Sequence, residues 1–174
     1  MAEHEIGRRY SIRTIIAPLA ENTVVIDAGA VTIGVENRII DEATAHDSLV
    51  AARDDDGVVR TAPVDDDGGV SLHVFDAATG YEHLRFDIFD RHPHYHYICP
   101  GEYQVNIPYD RHASGDMFEW AMACLRHRLP DMLSYGDAPE LAARIDPAAV
   151  EQALPEVART VRAARNGAAA EGTR

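Results

Sequence analysis

Cysteine is nearly absent. The 174 residues hold two, Cys99 and Cys124, and these form no Cys-x-x-Cys pair. That excludes a disulfide framework and a four-thiolate zinc site; Cys124 is expected to be a small buried hydrophobe, and Cys99, three residues past His96, a packed thiol with a soft-ligand or reactive role as the alternative. Positive charge is also scarce: 16 Lys and Arg stand against 29 Asp and Glu, a net charge of −13. A body that acidic repels phosphate backbones and anionic lipid, so neither nucleic acid nor a membrane is an expected partner. No apolar run approaches the ~20 residues that span a bilayer. The first ten residues lack the apolar stretch of a secretory signal, and the expected address is the cytoplasm. There is no Gly-x-Ser-x-Gly elbow, phosphate-binding loop or dinucleotide fingerprint, so serine-hydrolase, kinase and simple dehydrogenase chemistry have no support.

What the chain does have is histidine in one place. Residues 91–97 read Arg-His-Pro-His-Tyr-His-Tyr, with three of the nine histidines at alternate positions. Alternate residues of a strand share a face. His92, His94 and His96 are therefore expected to look one way, and Tyr95 and Tyr97 the other. On a strand the Cβ atoms of His94 and His96 stand roughly 6.6 Å apart. Two imidazoles at that spacing can tilt onto one ion about 2.0–2.1 Å from each. On a straight strand His92 lies about 13 Å from His96, and joins them only if Pro93 bends the chain that way. Glu102 or His112 would otherwise complete the ligand set. Three histidines suit catalytic zinc, and two with a carboxylate suit ferrous iron, so the expected cofactor is divalent zinc or iron. Asp87 and Asp90 are candidates to orient a ligand imidazole through its second nitrogen. Tyr95 and Tyr97 are candidates for hydrogen-bonding or acid roles, and Arg85 or Arg91 for holding an anionic group. His73, His83 and His127 are expected at the surface or half-buried.

The stretch His94-Tyr95-His96 followed by Glu102 is similar to the first metal motif of the cupins, small β-barrels with a His-x-His and a downstream glutamate. The similarity covers under a tenth of the chain. The gap from His96 to Glu102 is one residue longer than that motif's, and helices rather than a second motif follow, so cupin function is not carried over.

The remaining pattern sets the fold. Tyr10 to Ala17 and Thr23 to Glu36 read as strands, the second broken at Gly29 and Gly34. Asp54 to Gly57 and Asp65 to Gly69 read as solvated turns, since their spacing does not match a calcium loop. Val70–Asp76 and Tyr81–Asp90 form a hairpin in which Leu84, Phe86 and Ile88 face the core and Arg85 and Asp87 the polar side. A strand at Tyr103–Tyr109 returns beside the histidines. Ser114 is expected to cap a helix carrying Phe118, Met122, Leu125 and Leu129, which Pro130 ends. A short helix follows Pro139, and a third runs from Asp146-Pro147 to about Arg165, kinked or divided at Pro155. The expectation is one α+β domain over residues 1–165, an N-terminal antiparallel sheet, flat or curled toward a barrel, with C-terminal helices packed on it. Residues 166–174 are expected to be a disordered tail.

These features point to a small metal-dependent enzyme acting on a small polar molecule by hydrolysis, hydration or elimination, or by oxygen chemistry if iron is bound. Two alternatives stand beside it. One is a metal-free His/Tyr acid–base enzyme or small-ligand binding protein. The other is a non-enzymatic homo-oligomer, a homodimer for instance, whose tyrosine–histidine strand is an interface.

Overall fold

In a computed structural model that describes residues 10–12, 17–40 and 67–171, seven strands form one antiparallel sheet. They are β1 (Tyr10–Ile12), β2 (Thr23–Ala28), β3 (Val31–Ile40), β4 (Asp67–Asp76), β5 (Glu82–Phe89), β6 (His94–Cys99) and β7 (Tyr103–Pro108). The spatial order is β1-β7-β6-β5-β4-β3-β2, a meander with β1 added beyond β7. Its outermost strands, β1 and β2, do not pair with each other, so the sheet is open and not a barrel. Five helices follow the last strand: α1 (Arg111–Ser114), α2 (Met117–His127), α3 (Leu129–Tyr135), α4 (Pro139–Ala142) and α5 (Pro147–Glu171). Strands first and helices afterwards give the expected α+β domain.

Register assigns the two faces. Ile33, Val74 and Leu84 line up across β3, β4 and β5, as do Val35, Leu72 and Phe86. All six are at most 2 % exposed, and α2, α3 and α5 pack over this face. Phe86 is paired with Tyr95 and Leu84 with Tyr97, which carries the same face onto β6. Trp120 of α2 packs its ring 5.7 Å from Phe86 and 5.1 Å from Tyr95. Alternation in β5 therefore identified the core side.

The opposite side departs from expectation. Glu36, Ser71, His73, Arg85, Asp87 and His96 occupy it, and each is at most 4 % exposed. The sheet is buried on both faces. Alternation shows which residues share a side but not whether that side is covered.

Several boundaries also moved. Gly29 takes the β2–β3 turn with φ 82°, as expected, but Gly34 lies inside β3. A Cβ there would sit 2.8 Å from the Phe75 ring and 3.0 Å from Thr23 Cγ2, so close approach and not turning selects glycine. Asp67, Gly68 and Gly69 open β4 and are not a turn. Of the expected strand from Tyr10, residues 13–16 lie outside the described residues, as do Asp54 to Gly57. Ser114 ends α1, and the cap of α2 is Asp116, which accepts from the Glu119 N–H. Pro130 sits in the first turn of α3, where its missing N–H costs nothing, instead of ending α2. Pro155 does not divide α5, which continues through Ala168-Ala169-Ala170 to Glu171 where a disordered tail was expected. Alanine is the strongest helix former, and three in a row carry the helix past Gly167.

Candidate metal centre

The site lies on the buried polar face where β5, β6 and β7 run side by side. Its entry is set by Asp67 at the head of β4. One carboxylate oxygen of Asp67 accepts from the His92 N–H at 2.8 Å and the other from the Arg91 N–H at 3.2 Å. This ties down the turn that leads through Pro93 into β6. The strand then starts at His94, directly across from Asp87, with Arg85 across from His96.

Asp87, His94 and His96 lie close together and could hold a metal ion. One potential ligand atom from each falls within 4.8 Å of the other two. His94 Nε2 is 3.2 Å and His96 Nε2 3.0 Å from the same oxygen, Asp87 Oδ2. Ligands about 2.0–2.1 Å from a tetrahedral zinc stand roughly 3.3 Å from one another, so little movement would close these three on an ion. Their outer contacts fit that role. Nδ1 of His94 donates to the His92 carbonyl at 2.7 Å, which leaves Nε2 to face Asp87. Ser71 donates its hydroxyl to Asp87 Oδ1. Among the described residues, Nδ1 of His96 is buried without a hydrogen-bond partner, and so is Oδ1 of Asn106, which β7 pairs with His96. Buried polar atoms are nearly always satisfied, so both mark this floor as a place built for a further polar group.

Charge follows geometry. Burial would raise the pKa of Asp87, but hydrogen bonds from His94 and His96, with the Arg85 charge, hold it well below the usual carboxylate range. Burial likewise opposes charging of His94, and its bonds to Asp87 and the His92 carbonyl overcome that and raise its pKa. Burial dominates at His96, with repulsion from the charged form of His94 adding to it, and its pKa is pushed down to about 4.

A second cluster continues along the same face. His73 is wholly buried, with Nδ1 2.6 Å from Glu82 Oε1 and Nε2 3.1 Å from Glu36 Oε2. Both ring nitrogens face carboxylates, so both carry protons and the ring is an imidazolium. Burial opposes that charge, and the two glutamates raise the pKa nonetheless. Arg85 is bound to Glu82 through Nε at 2.8 Å and Nη2 at 2.5 Å, and Arg38 to Glu36 at 3.0 Å.

Of the residues singled out from sequence, His94, His96 and Asp87 come together, with Asp87 facing the imidazoles directly and not from behind one of them. His92 is exposed before Pro93 and stands outside the triad. Glu102 lies in the β6–β7 turn, at the opposite end of β6 from His94. His112 is exposed on α1 and likewise outside the triad, though it shares a surface cleft with His92 and His94. Tyr95 and Tyr97 point to the helix side, against Trp120 and Tyr135, so the sheet itself separates them from the imidazoles. Their rings are taken up by the chain's own helices, which is why they are not an outward stripe. Arg85 is on the right face, but its guanidinium is committed to Glu82. Cys124 is buried, its thiol pushed up to about 11 by burial, and acts as a small apolar group as expected. Sequence reasoning missed Ser71, His73, Glu36, Glu82 and Asn106. Parity places Ser71 with His73 on β4, but the register shift between Val74 and Phe75 decides that this side is the one carrying Asp87, and the sequence does not show it.

The family described as "Domain of unknown function (DUF7700)" matches residues 25–161. The chain belongs to the DUF7700 family. The match takes in Asp87, His94 and His96 together with the whole Glu36–His73–Glu82 cluster, so both lie within the DUF7700 region. No curated protein and no solved structure matches the chain.

Proposed function

We propose that this chain is a metal-dependent enzyme acting on a small polar molecule, with Asp87, His94 and His96 as the protein ligands of a zinc or ferrous ion. The observation that carries the reading is the convergence of two imidazole Nε2 atoms on one buried carboxylate oxygen. Two histidines and one carboxylate leave coordination positions open, as catalytic sites require. A water held there becomes a nucleophile or base near neutral pH, suited to hydrolysis, hydration or elimination, and an iron ion would extend the chemistry to oxygen. Ser71 and the His92 carbonyl would orient the ligands. No described helix is long and apolar enough to cross a membrane. Free Cys99 and Cys124 agree with a reducing compartment, and we place the enzyme in the cytoplasm.

The test is metal content and zinc titration of protein purified without a histidine tag. Wild type is expected to hold about one ion per chain, with Asp87→Asn and His94→Ala/His96→Ala losing roughly a hundred-fold or more in affinity. Wild-type binding that is weak and unaltered by these changes would sink the proposal.

One observation favours a second reading. The bonds of His94 to Asp87 and to the His92 carbonyl are satisfied by a proton alone, which would make the triad a metal-free acid–base device with neutral His96 as base. Activity on a discovered substrate that survives exhaustive chelation selects this reading over the first.

A further inference from the structure

His94 belongs to two features at once. Its Nε2 faces Asp87, and its ring also lines a surface cleft of about 350 Å³ between the 91–93 turn, the end of β7 and α1. The other chemistry-bearing residues of that cleft are Arg91, His92, Arg111 and His112, and no carboxylate lines it among the described residues. In a chain of net charge −13 this is a local reversal of sign.

Two carboxylates beside it are turned onto the backbone, while Asp90 and Asp116 line the adjoining cleft that Arg111 also borders. Asp67 is turned onto the backbone N–H groups of Gly68, Arg91 and His92. Asp110 is turned onto those of His112 and Ala113. Arg111 is anchored differently from Arg85 and Arg38. Its Nη2 donates to the Phe89 and Asp90 carbonyls, so neutral groups hold the side chain in place. Among the described residues these are the hydrogen bonds its guanidinium makes, so its remaining N–H groups are available to a ligand. A guanidinium pre-positioned this way suits bidentate capture of a planar or tetrahedral oxyanion.

We infer that this cleft is the entrance to the metal centre and binds the oxyanion group, carboxylate or phosphate, of a small anionic substrate, with Arg111 as its anchor. The cleft is large enough for a small molecule, and its basic side chains draw an anion toward an otherwise repelling protein. Arg111 selects and positions the substrate, and the imidazole edge of His94 connects it to the ion. The inference rests on the metal-centre reading for its chemistry, but the binding can be measured independently.

The experiment is calorimetric titration of chelator-treated and zinc-loaded protein with inorganic phosphate, with malonate, and with glycerol as a neutral control. Both anions are expected to bind the chelated protein and glycerol is not. The tighter of the two assigns the substrate's group as phosphate or carboxylate. Arg111→Met is expected to weaken the better anion roughly ten- to a hundred-fold. Because Arg111 also ties down the Phe89–Asp90 backbone, the exposed double variant His92→Gln/His112→Gln is run in parallel, with melting curves for both, and is expected to weaken binding by a smaller factor. Absence of anion binding to wild type, or binding unchanged in every folded variant, overturns the inference and leaves the metal reading intact. Anion binding by protein that takes up no zinc supports the cleft and removes the metal.

Discussion

His73 is the residue on which the polar face turns. An imidazolium with no solvent contact is tolerable only because a carboxylate meets each of its nitrogens. Removing it leaves Glu36 and Glu82 facing each other across a buried gap. His73→Gln is therefore expected to lower unfolding stability by about 3–5 kcal/mol in urea titration. A loss under about 1 kcal/mol, the size of an exposed ion pair, would mean that water reaches this face in solution. His94 and His96 show the opposite use of the same side chain. Their shared target is one aspartate oxygen, which an ion can replace a proton in serving. The sequence made the His94–His96 pair visible because period two is a property of the strand itself. It did not make His73 visible, because a histidine isolated between Leu72 and Val74 reads as a break in an apolar strand until its partners on β3 and β5 are known.

At the scale of elements, the site depends on how three strands are held in register. A register shift at Val74/Phe75, where His83 is the extra residue of β5, leaves Glu82 opposite Phe75 and within reach of His73. The turn before β6 is held by Asp67, which belongs to a strand that is not β6's neighbour. Asp67→Ala is expected to free the 91–93 turn and weaken zinc binding about ten-fold, with a much smaller change in melting temperature, as for loss of an outer-shell contact. Equal zinc affinity in wild type and variant would show that β5–β6 pairing alone positions His94. Gly34 is the corresponding device in β3. Gly34→Ala meets the Phe75 ring and is expected to cost about 1–3 kcal/mol, with Phe75→Leu recovering most of it in a double-mutant cycle. Additive losses would place the strain in the backbone instead.

For the whole molecule, the paired charges predict how stability follows pH. Burial alone would raise the pKa of Glu82, but Arg85 and His73 bring it down to about 2. A depressed carboxylate stabilises the fold above its unfolded value of about 4.3, and that contribution is lost as pH falls toward the folded one. The raised pKa of His73 works in the other direction. Its contribution is complete below the unfolded value of about 6.5 and is lost as pH climbs through the folded one. Because the pKa of His96 is also depressed, to about 4, stability rises with pH up to its unfolded value. Melting temperature is expected to climb to a maximum at about pH 6.5 and to fall above it, with His73→Gln reducing the alkaline limb. An alkaline limb that is the same in both proteins would assign it to His94, whose pKa is also raised, and to the general repulsion of a chain at −13.

Local rules carried the architecture a long way. Apolar alternation in β5, the Ala77–Gly80 hairpin loop, Asp146-Pro147 at the start of α5 and the shared face of His94 and His96 are consequences of backbone geometry and near neighbours, which the chain states on its own. Burial of the polar face, the choice of Asp87 over His92, Glu102 or His112 as third partner of the triad, and the withdrawal of Tyr95 and Tyr97 to the helix side depend on which strand lies beside which. Only the assembled sheet decides those, because an electrostatic partner is chosen by distance through space, and residues as far apart as 36, 73 and 82 become neighbours only when the strands pair.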